Sequence, residues 1–472
     1  MQRTKMIFTI GPASDKEDII RKFINIGMSA ARLNFSHGDH KSHKEKIDMI
    51  KKVRDELNSP TALLLDIKGP KIRTHKFIND EVELMEGSEF TFYCDEEILG
   101  DSSKCSISYK ELYNDVSVGG EILVDDGLLR FEIIEILSDS IKCKVKVGGT
   151  IKNNKGVNLP NVKVKLPSIT EKDIKDIIFG CENQVDFIAG SFIRKASDVL
   201  DIRRILDENG GKSIQIISKI ENQEGVDNID EIIEVSDAIM VARGDMGVEI
   251  PIERVPIIQK KIIRKCNEAG KIVITATQML DSMIRNSIPT RAEACDISNA
   301  IFDGTDAIML SGESASGLYP IESAKTMSKI AIETEENLDY IYLNRRLKEP
   351  SVTDFSEAIS YSACRTSNLL HAKVIVAATN SGKTAKLISK YRPKCPIIAI
   401  TPYDEVRRGL NLNFGIFPTK CTVFTTADEI LSESKKVATN LSFANEGDDI
   451  IVVAGMPSAI TGGTNMLKIE KL

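Results

Sequence analysis

Ile214-Gln215-Ile216-Ile217-Ser218-Lys219-Ile220-Glu221-Asn222 is the stretch that decides the fold. An apolar run of strand length ends in a lysine and a glutamate two residues apart, and alternate residues of a strand face the same way. The same form recurs downstream. Ala238–Ala242 runs into Arg243-Gly244-Asp245, Ile272–Thr277 into Gln278, and Ala307–Leu310 into Ser311-Gly312-Glu313. Upstream lie Val185–Phe192 and three earlier runs, Met6–Ile10, Ala30–Phe35 and Ala62–Ile67. Amphipathic stretches such as Lys16–Ile26 and His43–Leu57 separate them. Strand–helix alternation predicts a parallel sheet, and eight such units in about 240 residues predict an α/β fold of the TIM (β/α)8 barrel type. In that barrel the C-terminal strand ends meet on one face, where active sites are built. The polar residues cluster at those ends, a one-sidedness that solubility does not require.

The alternation breaks from about His75 to Leu166. Short alternating strands there are punctuated by Gly87, Gly119-Gly120, Asp126-Gly127 and Gly148-Gly149. Glu121–Val124 and Leu128–Ile134 flank a turn and predict a hairpin. This segment reads as an inserted all-β domain. Thr170, with Asp173 three residues on, predicts the helix start at which the barrel resumes. After the polar stretch Asn344–Thr353, strands Val374–Ala378, Pro396–Thr401 and Asp449–Ala454 alternate with helices near Ala385–Tyr391, Glu405–Leu412 and Ala427–Asn440. The expected organisation is a barrel over 1–70 and 166–343, an inserted β-barrel domain over 71–165, and a separate C-terminal α/β domain over 344–472. The chain ends soon after its last strand, which predicts no further fused domain.

The formal net charge of −7 argues against nucleic acid as a partner. No apolar run approaches the ~20 residues of a membrane span, and the apolar stretch near the N-terminus is too short for a signal peptide. Nine cysteines are scattered singly with no CxxC pair, which reads as free thiols in a reducing compartment. A cytoplasmic protein without a membrane partner is expected. His37, His40 and His43 could share a helical face as metal ligands, but no second ligand cluster supports zinc, and a polar helix entrance is the preferred reading.

Lys219 and Glu221 end one barrel strand and Asp245 follows the next, so Glu221 and Asp245 would be neighbours on one rim. Paired carboxylates with room for waters and substrate oxygens suit Mg²⁺. Gly244 would let a ligand approach the backbone. The competing reading, a surface ion pair, is weakened by the buried character of the preceding run. Anionic substrates would need such a locally basic or metal-bearing site in an acidic protein.

Longer motifs add to this. Ile217-Ser218-Lys219-Ile220-Glu221-Asn222-Gln223-Glu224-Gly225 resembles a signature of the pyruvate kinase family. So do Met240–Gly247, Thr275–Leu280, Pro289–Glu293, Leu310–Glu313, Arg32–Gly38 and Leu65–Pro70, in the family's order. The resemblance implies phosphoryl transfer from phosphoenolpyruvate to ADP, giving pyruvate and ATP. It implies that Glu221 and Asp245 hold Mg²⁺ (or Mn²⁺), and that Arg32 and Lys219 neutralise charge on the moving phosphoryl group. Thr277, with Ser311 and Glu313, would guide the proton to the enolate. Arg32, Lys219, Gly244, Asp245 and Thr277 would bind phosphoenolpyruvate. Asn34, His37, Arg73 and Lys155 would bind nucleotide, with the insert closing as a lid. A homotetramer is also implied.

One departure concerns K⁺. Many family members hold it with oxygens equivalent to Asn34, Ser36, Asp66 and a threonine where this chain has Ile67, and have glutamate where it has Lys71. Ile67 removes one oxygen ligand, and the Lys71 ammonium could stand in for the ion. K⁺ is therefore expected to be dispensable.

In the C-terminal segment Thr379-Asn380-Ser381-Gly382-Lys383-Thr384 follows a strand. A full P-loop needs glycine where this chain has Ala377, so a Walker ATPase is not expected. A strand–loop–helix of this kind still suits phosphate. By resemblance Thr379, Ser381, Gly382, Lys383 and Thr384 would take a phosphorylated effector, a sugar phosphate or nucleotide, against the loop Pro457–Thr464. Two rival readings are a Mg²⁺-dependent lyase on an enolpyruvate-type substrate and an inactive sensor. Arg73 and Lys155 argue against the lyase, and the intact Lys219, Glu221 and Asp245 argue against the sensor.

Overall fold

A computed structural model describes residues 2–160, 162–340, 354–456 and 463–472. Eight parallel strands close into a barrel: Lys5–Thr9, Met28–Asn34, Ala62–Asp66, Phe187–Gly190, Gln215–Ile220, Ala238–Ala242, Ile272–Ala276 and Ala307–Leu310. Each pairs with its neighbours in sequence order, and the first closes on the eighth through Lys5↔Ala307 to Phe8↔Leu310. These strands are buried on both faces, so they read as near-continuous apolar runs. Their outward residues pack on the surrounding helices, and their inward residues form a separate inner core that includes Ile7, Leu64, Ile217 and Met240.

The barrel resumes where Thr170 predicts. Its hydroxyl accepts from the Asp173 amide, and Asp173 reaches back to the Thr170 amide in a capping box that starts the helix Glu171–Glu182. The buried Asp173 carboxylate also accepts from Gly69 N at 3.0 Å. It thereby ties the chain that leads into the insert to the helix that follows it.

The insert is built on its own apolar cluster around Phe90, Phe92 and Phe131. The predicted hairpin is present, with Glu121↔Glu132 to Val124↔Leu129 paired across a turn in which Asp125, Asp126 and Gly127 all have positive φ. Its hydrogen-bonded strands divide into a six-stranded sheet and a two-stranded ribbon, Glu81–Leu84 with Gly149–Lys152, where the sequence suggests one β-barrel.

The C-terminal domain is a five-stranded sheet in the order Ile416–Lys420, Ile397–Thr401, Val374–Ala378, Asp449–Ala454, Met466–Lys471, with only the last strand antiparallel. The first and last of these, and the helix Phe355–Leu370, are not anticipated from the sequence. The expected boundary at 343/344 lies outside the described residues. This domain docks on the N-terminal end of the barrel through Arg392–Asp306 at 3.0 Å and Arg408–Asp186 at 2.6 Å.

Candidate active site

The C-terminal ends of the third, fifth and second barrel strands bring Asp66, Lys219 and Arg32 together. Arg32 Nε donates to Asp66 Oδ2 at 2.7 Å, and Nη1 donates to Thr9 Oγ1 at 2.9 Å. Lys219 Nζ donates to Ser191 Oγ at 2.7 Å and to Asp66 Oδ1 at 3.2 Å, and lies 3.0 Å from Glu221 Oε1. All four charged side chains are buried. Burial alone would discharge them, so each needs its partners. Burial lifts the Asp66 carboxyl, but the Lys219 and Arg32 charges overcome it and hold the group below its usual range. Burial likewise pulls Lys219 down, and the carboxylates of Asp66 and Glu221 more than reverse this. Lys219 is a fixed cation at any physiological pH.

Glu221 is less well served. Burial and the nearby Asp245 carboxylate push its carboxyl up to about 7, against the opposing pull of Lys219 and a 2.6 Å hydrogen bond from Phe192 N. Asp245 stands in the first turn of the short helix Arg243–Glu249. Two carboxylates that repel one another fit a hard divalent cation that draws its remaining ligands from water and substrate oxygens. Among the described residues no group of three or more His, Cys, Asp or Glu side chains converges as a ready-made metal cage. Two of the three clustered histidines are otherwise engaged: His43 stacks on Phe35 at 3.9 Å and His40 bonds Asp176 at 2.7 Å.

Lys71 pairs with carboxylates other than Asp66. Its ion pairs go to Asp245 at 3.2 Å and Asp126 at 3.7 Å. Asp66 already has two cations, so the third finds the less satisfied carboxylate. Ile67 is buried, and Asn34 Oδ1 accepts from Ser36 N at 3.0 Å.

At the seventh strand end, Thr277 Oγ1 accepts from Gly244 N at 2.7 Å, joining two rim loops. Thr277 has φ 68° and Gln278 φ 53°. A β-branched residue in the left-handed region is strained, and such strain gathers at functional sites. Arg243 holds this turn in place, its Nη2 donating to Thr277 O at 2.7 Å and its Nη1 to both carboxylate oxygens of Asp296. Glu313 accepts from Leu280 N at 3.0 Å and Ser311 N at 2.8 Å, so its carboxylate fastens the seventh loop to the eighth. The buried Ser311 hydroxyl has no partner among the described residues.

The residues expected at nucleotide are spread over barrel and insert. His37 is exposed, Arg73 Nη1 donates to Asn154 O at 2.8 Å, and Lys155 Nζ pairs with Asp125 Oδ1 at 2.8 Å. The last two both belong to the insert, and their partners Asn154 and Asp125 do too. Ser191, Phe192 and Thr9 join the site without being singled out from the sequence, although each stands at a barrel strand end.

In the C-terminal domain Thr379, Ser381, Lys383 and Thr384 line a cavity of about 50 Å³ with Gly463. Gly382, at φ 85°, donates its amide to Thr379 Oγ1 at 2.9 Å and opens the helix Lys383–Lys390. Thr384 bonds Thr464 at 2.7 Å. The rest of the expected facing loop, 457–462, lies outside the described residues.

Comparison with known proteins gives the same answer along the whole chain. The family model "Pyruvate kinase, barrel domain" matches residues 1–324, and "Pyruvate kinase, alpha/beta domain" matches 357–470. A pyruvate kinase of Clostridium perfringens is 68% identical over 474 residues, covering 100% of both chains. One of Sporosarcina psychrophila is 50% identical, covering 100% of this chain and 80% of its own. A crystal structure of a pyruvate kinase from Cryptosporidium parvum superposes with a TM-score of 0.95 at 41% identity, covering 100% of this chain and 96% of that one. A (β/α)8 barrel with buried, paired charges at its C-terminal rim, an inserted β segment and full-length relatives of one kind leave a single assignment: the chain belongs to the pyruvate kinase family.

Proposed function

We propose that Arg32, Lys219, Glu221 and Asp245 carry the family's reaction in this chain. That reaction, phosphoryl transfer from phosphoenolpyruvate to ADP with release of pyruvate and ATP, follows from family membership. The observation that carries the residue assignment is the buried ion-pair set at the rim, two cations on Asp66 with Glu221 beside them. Phosphoryl transfer asks chiefly for positioning and for fixed charge where negative charge builds. Arg32 and Lys219 are fixed charges of this kind, already oriented before substrate arrives. Glu221 and Asp245 would hold the divalent metal the family uses, read here as Mg²⁺ or Mn²⁺, which supplies Lewis-acid charge on substrate oxygens. Thr277, Ser311 and Glu313 border the place where the enolate takes its proton. Glu313 acts there by holding Leu280 and Ser311 in position.

The domain reading is a barrel over 1–70 and 166–343, a lid over 71–165 and a C-terminal effector and oligomerisation domain over 344–472. Closure of the insert would bring Arg73 and Lys155 over nucleotide held at Asn34 and His37 and exclude water. Ile67 offers no side-chain oxygen to K⁺, and Lys71 adds a permanent cation beside Asp245, so activity without K⁺ is expected. The loop Thr379–Thr384 takes a phosphorylated activator. Among the described residues no helix is long and apolar enough to cross a membrane. The chain is read as a cytoplasmic homotetramer.

One assay series tests this. Pyruvate release from phosphoenolpyruvate and ADP with Mg²⁺, in Tris buffer, should be equal with and without K⁺. Lys71→Glu should create a K⁺ requirement, and a variant fully active without K⁺ would overturn the Lys71 reading. Chelation should abolish turnover, and Asp245→Asn should raise the metal concentration needed by at least ~10-fold. Sugar phosphates and nucleoside monophosphates should lower the phosphoenolpyruvate concentration at half-maximal rate. Loss of that response in Lys383→Ala is expected. Its survival would remove the effector assignment.

A further inference from the structure

Leu412 belongs to the C-terminal domain in sequence and to the barrel in space. It is fully buried and clusters with the barrel's inner residues, among them Ala30, Leu64, Ala189 and Ile217, not with the apolar cores of its own domain. Its loop is fastened to the N-terminal edge of the barrel on several sides. Asn411 Nδ2 donates to Ser29 O at 2.9 Å and to Pro60 O at 3.1 Å. Phe414 N donates to Asp306 Oδ1 at 3.2 Å, and Gly415 N to Arg3 O at 3.0 Å. These anchors lie at the starts of the second, third, eighth and first barrel strands.

Inner residues of the same cluster lie directly beneath the charged rim. Ala30 precedes Arg32 by two residues, Leu64 precedes Asp66, Ala189 precedes Ser191 and Ile217 precedes Lys219. Alternate residues of a strand face the same way. The ion-pair set therefore rests on an apolar floor whose lower opening is closed by a residue of another domain. A barrel interior is a packed core rather than a pore, and close-packed interiors transmit displacement. A gap in that floor lets the strands relax and admits water, which weakens the charges above by raising the local dielectric.

We propose that Leu412 is a positioning residue for phosphoryl transfer: inserted from below, it completes the barrel's inner core and fixes the spacing of Arg32, Asp66 and Lys219. It acts through the strands and touches no substrate.

The test compares Leu412→Ala, the milder Leu412→Val and the volume-conserving Leu412→Met in the full chain. Near- and far-UV circular dichroism first fixes the folded fraction at the assay temperature. In folded Leu412→Ala, kcat should fall about tenfold or more, because small misplacements of catalytic groups are costly. Leu412→Val should lose less, and KM for ADP should stay within about twofold. Leu412→Met, which refills the space, should restore kcat. A merely structural residue would lower the melting temperature and leave kcat of the folded fraction unchanged. Folded Leu412→Ala with kcat within about twofold of the parent overturns the proposal. So does failure of both the Ala and Val variants to fold, since Leu412 would then serve folding alone.

Discussion

Lys219→Met is expected to lower kcat by roughly 10³- to 10⁵-fold, the range found when a transition-state cation is removed from phosphoryl transfer. That corresponds to about 4–7 kcal/mol of barrier. Two effects add. The substitution removes a charge that the fold holds within 3.2 Å of Asp66 and 3.0 Å of Glu221, aimed at the rim. It also removes the main restraint on Glu221, whose carboxyl burial and Asp245 already push up to about 7. Without the lysine the carboxyl retains its proton to higher pH, and the metal loses a ligand. Lys219→Arg keeps the charge, but its planar fork cannot reproduce the three-way contact of an ammonium with Ser191, Asp66 and Glu221. It should recover only part of the rate. Steady-state kinetics at saturating metal, with melting curves to confirm folding, decide the matter. A folded Lys219→Met enzyme within about tenfold of the parent would remove Lys219 from the chemistry.

Arg392→Met is expected to destabilise the protein by about 3–5 kcal/mol, the cost of leaving a buried charge unpaired. Arg392 and Asp306 are each 6% exposed and 3.0 Å apart across the junction of C-terminal domain and barrel. Arg392 also donates to Asn267 Oδ1 at 2.9 Å and Gly304 O at 3.0 Å, and lies over the Phe414 ring. Burial already raises the Asp306 carboxyl above its ordinary 3.8 despite that partner. Removing the guanidinium raises it further. The folded state then holds the proton more tightly than the unfolded state, so the variant regains stability as pH falls toward 3.8 and loses it as pH rises. Adding Asp306→Asn should recover much of the loss, because the stranded charge is gone. Urea denaturation at two pH values checks both statements. A loss below about 1 kcal/mol at neutral pH would mean that water or a rearranged partner replaces Arg392.

The barrel was legible in the sequence because its strands are covered on both faces. Burial on both sides forces near-continuous apolar runs, and each of the eight is found within two residues of where its pattern ends. The capping box at Thr170 was legible for a local reason, since hydroxyl and carboxylate three residues apart satisfy the first free amides of a helix. The C-terminal sheet was less so. Ile416–Lys420 carries a proline and Met466–Lys471 is largely polar and exposed, as edge strands are, so neither shows a buried-strand pattern.

For the site, sequence placed Lys219 and Glu221 on one strand face and Asp245 on the next strand end, because side-chain period and strand order are local facts. It could not say which cation each carboxylate would take. Asp66 is 153 residues from Lys219, and only closure of the barrel brings them to 3.2 Å. Once Arg32 and Lys219 neutralise Asp66, Lys71 turns to Asp245, an outcome set by competition among charges rather than by any motif. Leu412 is the same case in apolar form. Within its own segment it reads as one more helical leucine, and only the docking of two domains turns it into the floor of the barrel. What the sequence by itself determined was the set of elements and the chemistry at their ends. The tertiary structure decided the partners, because charge neutralisation and close packing depend on distances between residues far apart in the chain.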